Sequence, residues 1–345
     1  MPDVFSGFFI WAIGLIFIVR SKIERRLLIA LIIVSAMVHF SNLLTITGLS
    51  AVLLILLYIF KNRVENIRTK VVNLVLISVL PWMLIPSFNF LFDKEFYLNK
   101  SSNIFFTGRL IETKILNDFF ETQPGAKQYS LYAVKDRVPE KAWQFLWNND
   151  SPLYDGNCGT NGGWSNCWKV HSAEYGRMIK DVLTTPALLE KFVWISMTDW
   201  KNQLLDFDTG HLTPQGKGSN FDGIIPEYLD DSAQYKAAKQ YTETLFFEKE
   251  SKIQRWVVGI SMLVIVCSVI YLARKKSDNL ESILIVGMVV LLGLIINALS
   301  CSVFSGVLNR YQGRVIWLIP LLALTLVLFL FQAKDTDRKT GLGTF

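Results

Sequence analysis

Seven apolar runs punctuate the chain: Phe5 to Val19, Leu27 to Leu44, Leu49 to Phe60, Val71 to Leu91, Trp256 to Ala273, Glu281 to Leu308 and Val315 to Phe331. Together they resemble a set of crossings of a hydrocarbon core roughly 30 Å thick. Peptide groups find no water in such a layer, so helix is the form these runs are expected to take. One long polar stretch separates the fourth run from the fifth. The pattern therefore predicts transmembrane helices 1–4 in residues 1–91, an extracytoplasmic (periplasmic) domain in 92–254, transmembrane helices 5–7 in 255–333 and a cytoplasmic tail in 334–345. The expected fold class is an all-α membrane protein with seven transmembrane helices and a mainly α-helical extracytoplasmic domain between helices 4 and 5.

Inside the polar stretch the apolar positions recur at helical spacing. Ser102 can cap a helix carrying Phe105, Ile111, Ile115, Leu116 and Phe119. Pro139 suits the first position of a short helix through Trp147, with Glu140 in its first turn. Ser172, Tyr175, Ile179 and Val182 mark another, and Pro186 opens a longer one through Leu205. From Asp231 a helical pattern runs unbroken into Trp256, which predicts one helix continuous with the fifth crossing. Two irregular stretches remain, Asp150 to Trp168 and Asp206 to Gly223, dense in Gly, Asn and Asp. Long loops of this kind within a compact domain are often functional.

Charge sets the orientation. Only 19% of the 345 residues are charged, against about 25% in an ordinary soluble domain. The net charge of +6 divides into −4 for residues 92–254, from 18 Lys/Arg and 22 Asp/Glu, and +10 for the rest. Phosphate-tracking proteins carry a basic stripe, so the acidic domain argues against a nucleic-acid partner. The positive charge gathers in Arg20–Arg26, Lys61–Lys70, Arg274–Lys276 and the tail with Lys334, Arg338 and Lys339. Such clusters stay in the cytoplasm, which predicts an outer N-terminus, an inner C-terminus and a plasma (inner) membrane location. The first run has its charge after the apolar stretch and no small-residue cleavage site, so it reads as an uncleaved helix.

Several constellations could carry chemistry. Cys158 and Cys167 bracket a Gly-rich loop; an oxidising outer compartment favours a disulfide there, which would present Trp164 and Trp168 for binding or simply shape a loop packed on the domain. The alternative, a thiol metal site, lacks a second ligand pair, and no metal or cofactor is expected. The string D-F-D-T-G-H holds Asp206, Asp208 and His211. It matches a DxD metal motif and the Asp-Thr-Gly of aspartic proteases, but it stands once and in a helical setting, so a solvated turn is the expected reading. His171 and Glu174 share a helix face and read as capping or surface residues; His39 reads as a packing residue. Cys267 and Cys301 read as small hydrophobes. The middles of the seven runs carry no Asp, Glu, Lys or Arg, which argues against an ion-coupled transporter.

Arg310 and Arg314 break the charge rule, because the turn between the last two crossings is expected outside. Guanidinium forks bind phosphate oxygens in pairs, so the two arginines could anchor to lipid phosphates, hold the phosphate of a polyprenyl carrier or pair with domain acids. The segment from Arg310-Tyr311 to Pro320 resembles the last-helix region of polytopic glycosyltransferases that use polyprenyl-linked sugars, and the resemblance implies sugar transfer on the outer face. It covers about a dozen residues of 345 and departs after the first crossing, where those enzymes place an acidic outer loop and this chain has a basic one. The general arrangement, with F-L-W-N-N-D-S-P from Phe145 to Pro152, resembles uncharacterised bacterial polytopic inner-membrane proteins. Two expectations follow. In the first, the outer domain binds a partner protein or an envelope glycolipid. In the second, a membrane enzyme acts on a lipid-linked substrate, with Arg310 and Arg314 on its phosphate and Glu112, Asp206 or Asp208 as the base.

Overall fold

A computed structural model describes residues 3–148, 150–155, 163–212, 232–275 and 280–341. The described chain is almost wholly helical. Two compact units emerge: Met1–Leu205 with Leu284–Leu308, and Asp206–Ile283 with Asn309–Phe345. The polar stretch is thus divided at Leu205.

The first unit begins with α1 (Val4–Ile16), α2 (Lys22–Val38), α3 (Phe40–Ile59) and α4 (Ile67–Asp93). Ser21 caps α2 by accepting from the Glu24 N–H, the S-x-x-E arrangement that satisfies a free helix-end donor. The expected turn at Thr45–Ser50 is helical instead. The break falls at His39, whose extended backbone ends α2 and whose Nδ1 accepts from the Ser41 N–H to start α3. Pro81 and Pro86 stand inside α4, which runs on past both. Trp82 turns toward α3, donating to Thr47 Oγ1 at 2.8 Å.

Among the described residues five helices are long and apolar enough to cross a membrane: Phe40–Ile59, Ile67–Asp93, Glu248–Arg274, Leu280–Phe304 and Asn309–Phe331. The first two apolar runs form shorter helices, of 13 and 17 residues. At 1.5 Å per residue α1 extends about 20 Å.

Where lipid is as apolar as leucine, helices associate through close backbone approach and a few polar contacts. Both occur here. Asn42 is fully buried, accepts from Ser6 Oγ at 2.7 Å and donates to the Ser35 carbonyl at 2.9 Å, so one side chain ties α1, α2 and α3 together. Helix α14 (Leu280–Phe304) lies so close to α1 that a Cβ on Gly293 would stand 2.5 Å from Ile10 Cγ2.

The polar helices of this unit are α5 (Ser102–Glu112), α6 (Ile115–Thr122), α7 (Ser130–Ala133), α8 (Ala142–Trp147), α9 (Gly163–Thr184) and α10 (Pro186–Leu205). Their core holds Leu110, Phe119, Phe145, Tyr175 and Met178. The single helix expected from Ser102 is two, because Lys114 adopts a left-handed conformation between α5 and α6. Ser102 is its first residue and not its cap. Pro139 stands three residues before α8, which starts at Ala142. Helix α10 matches its predicted bounds.

In the second unit α13 (Glu248–Arg274) packs along α16 (Leu318–Gly341). The helix expected from Asp231 into Trp256 is interrupted. Short α11 (Ser232–Ala237) and α12 (Lys239–Thr242) end at extended Ala238 and Glu243, and Leu245–Phe246 pairs antiparallel with His211–Leu212. Thr242, Thr244 and the aromatic pair Phe246-Phe247 favour extended backbone over helix at this point. The expected turn at Asn309–Arg314 is α15 (Asn309–Ile316).

Gly293→Val should lower the thermal midpoint of the detergent-solubilised chain, since overpacking a tight contact costs about 1–3 kcal/mol. Gly259→Ala, where a Cβ would meet nothing within 4 Å, should hold or raise it. Equal midpoints for the two variants would show that the contact of α1 with α14 is not tight.

Candidate functional site

The segment that follows α10 draws the predicted residues of the second unit together. Asp206 to Gly210 is neither helix nor strand. Gly210 has φ +76°, a conformation that a side chain disfavours, and a Cβ there would also stand 3.5 Å from the Asn309 amide. Ser251, Gln254 and Arg255 share one face of α13 by their spacing of three and four residues. Each holds the segment. Thr209 N–H donates to Ser251 Oγ at 3.1 Å, its hydroxyl donates to Gln254 Oε1 at 3.1 Å, and Arg255 grips Asp208 with Nε at 2.6 Å and Nη2 at 2.5 Å.

Helix α15 approaches the same segment. A Cβ on Gly313 would lie 3.7 and 3.8 Å from the carbonyl oxygens of Phe207 and Asp208. Arg310, three residues earlier, and Arg314, one residue later, flank this contact. Both guanidiniums stand near the ring of Tyr311, at 5.2 and 5.6 Å. Arg310 is exposed, whereas Arg314 is buried with 8% of its surface accessible. The structure thus brings the Phe207 and Asp208 backbone against the turn of α15 that carries Arg310 and Arg314. Asp208 is committed to Arg255, a partner the sequence reading missed because it sits in the polar lead of an apolar run.

The two acids differ in surroundings. Burial raises the proton affinity of Asp206, and the neighbouring charge of Asp208 raises it further against a smaller opposing pull from Arg255. Asp206, Phe207 and Asp208 are therefore half-buried and the segment is anchored through Asp208 and Thr209, where a solvated turn was expected. The side chain of His211 lies outside the described residues.

Glu112 belongs to a different constellation, in the first unit. Arg109, only 3% exposed, pairs with Asp199 at 2.5 Å, joining α5 to α10. A Cβ on Gly306 would stand 3.3 Å from Glu112 Oε2 and 3.6 Å from Arg109 Nη1. The sequence signal for this cluster is an arginine in the apolar stripe of Phe106 and Leu110, but the partner lies 90 residues away.

The remaining predicted residues play structural parts. Trp168 stacks edge-on with Phe105 and Trp147, at 5.5 Å from each, and donates to Tyr154 Oη, so it packs in the domain. Cys167 is buried; Cys158 and the side chain of Trp164 lie outside the described residues. Glu174 accepts from the Ser130 N–H at 2.5 Å and so caps α7. His171 stacks on Tyr175, and burial lowers its proton affinity. Among the described residues no group of three His, Cys, Asp or Glu could hold a metal ion.

Arg109→Met should destabilise the first unit, because removing one partner of a buried pair costs about 3–5 kcal/mol; Asp199 keeps 22% exposure, which places the loss at the lower end. Arg109→Met combined with Asp199→Leu should recover part of it, since two apolar groups leave no charge uncompensated. Denaturation of both variants checks this, and a double variant worse than the single would show that the pair stabilises the fold by more than mutual compensation. No protein-family model, curated protein or solved structure matches this chain.

Proposed function

We propose that this chain is a polytopic membrane protein of the cell envelope that binds a phosphate-bearing envelope glycolipid at the outer interface. The observation that carries the reading is the approach of the Phe207 and Asp208 carbonyls to Gly313 of α15, the helix whose sequence carries Arg310 and Arg314 on either side of it. Two guanidiniums beside the start of an apolar helix suit a lipid-linked phosphate or pyrophosphate, whose charge lies at the headgroup level while its chain enters the bilayer. The resemblance of Arg310 to Pro320 to enzymes of polyprenyl-linked sugars points the same way.

The topology behind this reading has seven crossings, with the N-terminus outside and the C-terminus in the cytoplasm of an inner membrane. Supporting it are the basic clusters at Lys61–Lys70 and Arg274–Lys276 and in the tail, each at the same end of a long apolar helix. Helices α1 and α2 complete the count in pairs, so that Arg20–Arg26 also faces the cytoplasm. The polar stretch 92–254 then lies outside, where Cys158 and Cys167 would form a disulfide. Impermeant maleimide applied to intact cells should label Thr198→Cys and leave Ser21→Cys unlabelled; outside labelling of Ser21→Cys would reduce the crossings to five.

Vesicles carrying undecaprenyl phosphate should bind the purified chain, and Arg314→Ala should weaken binding roughly 10- to 100-fold, the equivalent of a charge-assisted hydrogen bond of about 1.5–3 kcal/mol. Unchanged affinity would sink the proposal.

Asp206 favours a second reading, a membrane enzyme in which this carboxylate is the general base. A base works best with its proton affinity raised toward the operating pH, and that is the direction of its shift. The two readings respond oppositely to acid. In pure binding, protonation of Asp206 removes a negative charge beside the phosphate, so affinity rises as pH falls through its raised pKa. In catalysis the base is lost over the same range, so turnover falls. Asp206→Asn should abolish whichever dependence is found; a pH profile identical in the variant removes Asp206 from both.

A further inference from the structure

The face that α10 leaves unpacked carries a row of apolar side chains, with Glu190 and Lys201 exposed along its edge. Leu188, Phe192, Ser196 and Gln203 point into the protein, while Trp194 is 75% exposed, Val193 51%, Met197 46% and Leu189 41%. Leu189, Val193 and Met197 follow at intervals of four, a continuous stripe along one side of the helix, with Trp194 beside it. Soluble surfaces do not usually gather apolar groups in this way.

The position of α10 says what covers the stripe. The C-terminal part of α10 meets α14, one of the helices long and apolar enough to span a membrane. Phe106 connects Phe192 of α10, at 5.5 Å, with Phe304, the last residue of α14, at 5.9 Å. The Trp200 indole reaches further and donates at 3.1 Å to the carbonyl of Ile295, nine residues inside that helix end. Nine residues are about 13 Å along a helix axis. Gln203, three residues on, exchanges two hydrogen bonds with the Leu308 backbone, four residues past that end, so the last turns of α10 lie level with the Phe304 end of α14. Amphipathic helices seated in a bilayer interface bury their apolar side about 5–10 Å, to the boundary of headgroups and acyl chains. Trp194 is the residue type enriched at that boundary.

We propose that α10 is an interfacial helix whose Leu189, Val193, Trp194 and Met197 stripe is seated among the acyl chains of the leaflet at the Phe304 end of α14. Lys191, on the opposite flank, forms an ion pair with Asp118 on the aqueous side. The polar helices α5–α9 are then held at the membrane by α10 as well as by their covalent connections. This inference concerns the first unit and does not rest on the arginine site.

Nitroxide labels on Val193→Cys and Lys191→Cys test it, in the full chain with Cys267 replaced by alanine, reconstituted in vesicles of phosphatidylethanolamine and phosphatidylglycerol. At Val193 the label should collide readily with oxygen and poorly with a water-soluble nickel chelate; at Lys191 the order should reverse. Nickel access at both positions would overturn the proposal, leaving the stripe in water. Shielding of Val193 from both reagents would also overturn it, because a protein surface or a second copy of the chain would then cover the stripe. Met197→Cys, one turn along, should repeat the Val193 result, which guards against local damage at a single variant.

Discussion

Hydrocarbon offers nothing to a peptide N–H or C=O, and the rest of this structure follows from that. Every long apolar run is a helix because no other backbone satisfies itself without water. The same constraint shapes how the helices meet. Burying leucine against leucine brings little where the alternative is lipid, so α1, α2 and α3 are tied by one buried amide, Asn42, and α14 reaches α1 by presenting Gly293 to Ile10. Pro81 and Pro86 each remove one backbone donor from α4, and the helix nevertheless runs on past both.

Much of the helical plan was legible because it depends on local periodicity. Helix α10 begins at Pro186, suited to a first position, and ends where Asp206, Asp208 and Gly210 break the pattern, so both ends were readable. The breaks were harder. His39 interrupts what reads as an apolar run because its ring accepts from a backbone N–H two residues on, a conformation no hydropathy pattern records. Lys114 splits α5 from α6 without disturbing the three-to-four residue spacing, since both helices pack into one core. The stretch before α13 has helical spacing but extended structure at Leu245–Phe246, where pairing with His211–Leu212 and the extended preference of Thr and Phe prevail over the spacing.

The site was legible as a set of residues and not as an arrangement. Arg310 and Arg314 stood out because positive charge there contradicts the orientation rule, and the D-F-D-T-G-H string because acids and glycine cluster in it. Their arrangement follows from α15 lying against the Phe207 and Asp208 carbonyls, a contact that no local pattern records. Arg255 could not be assigned as the partner of Asp208 from sequence, since 47 residues separate them. The neighbours of Glu112 were hidden for the same reason, because its cluster with Arg109 depends on how α5 meets α10 and the chain near Gly306.

The two ion pairs do different work, and the difference bears on where function lies. Arg109 is sealed within the first unit; a charge taken that far from water contributes little net stability when paired and costs much when left alone, so its effect is to fix how α5 and α10 register. Arg255 remains 59% exposed, and exposed pairs add little to stability. Its bidentate grip on Asp208 nevertheless joins Ser251 and Gln254 in orienting a segment that has no helix or strand to hold it. Three side chains on one face of α13 hold two residues of loop, Asp208 and Thr209, beside a half-buried Asp206 whose proton affinity is raised by burial and by the Asp208 charge. A turn that only connected two helices would need none of this ordering, nor the left-handed backbone that Gly210 supplies within it.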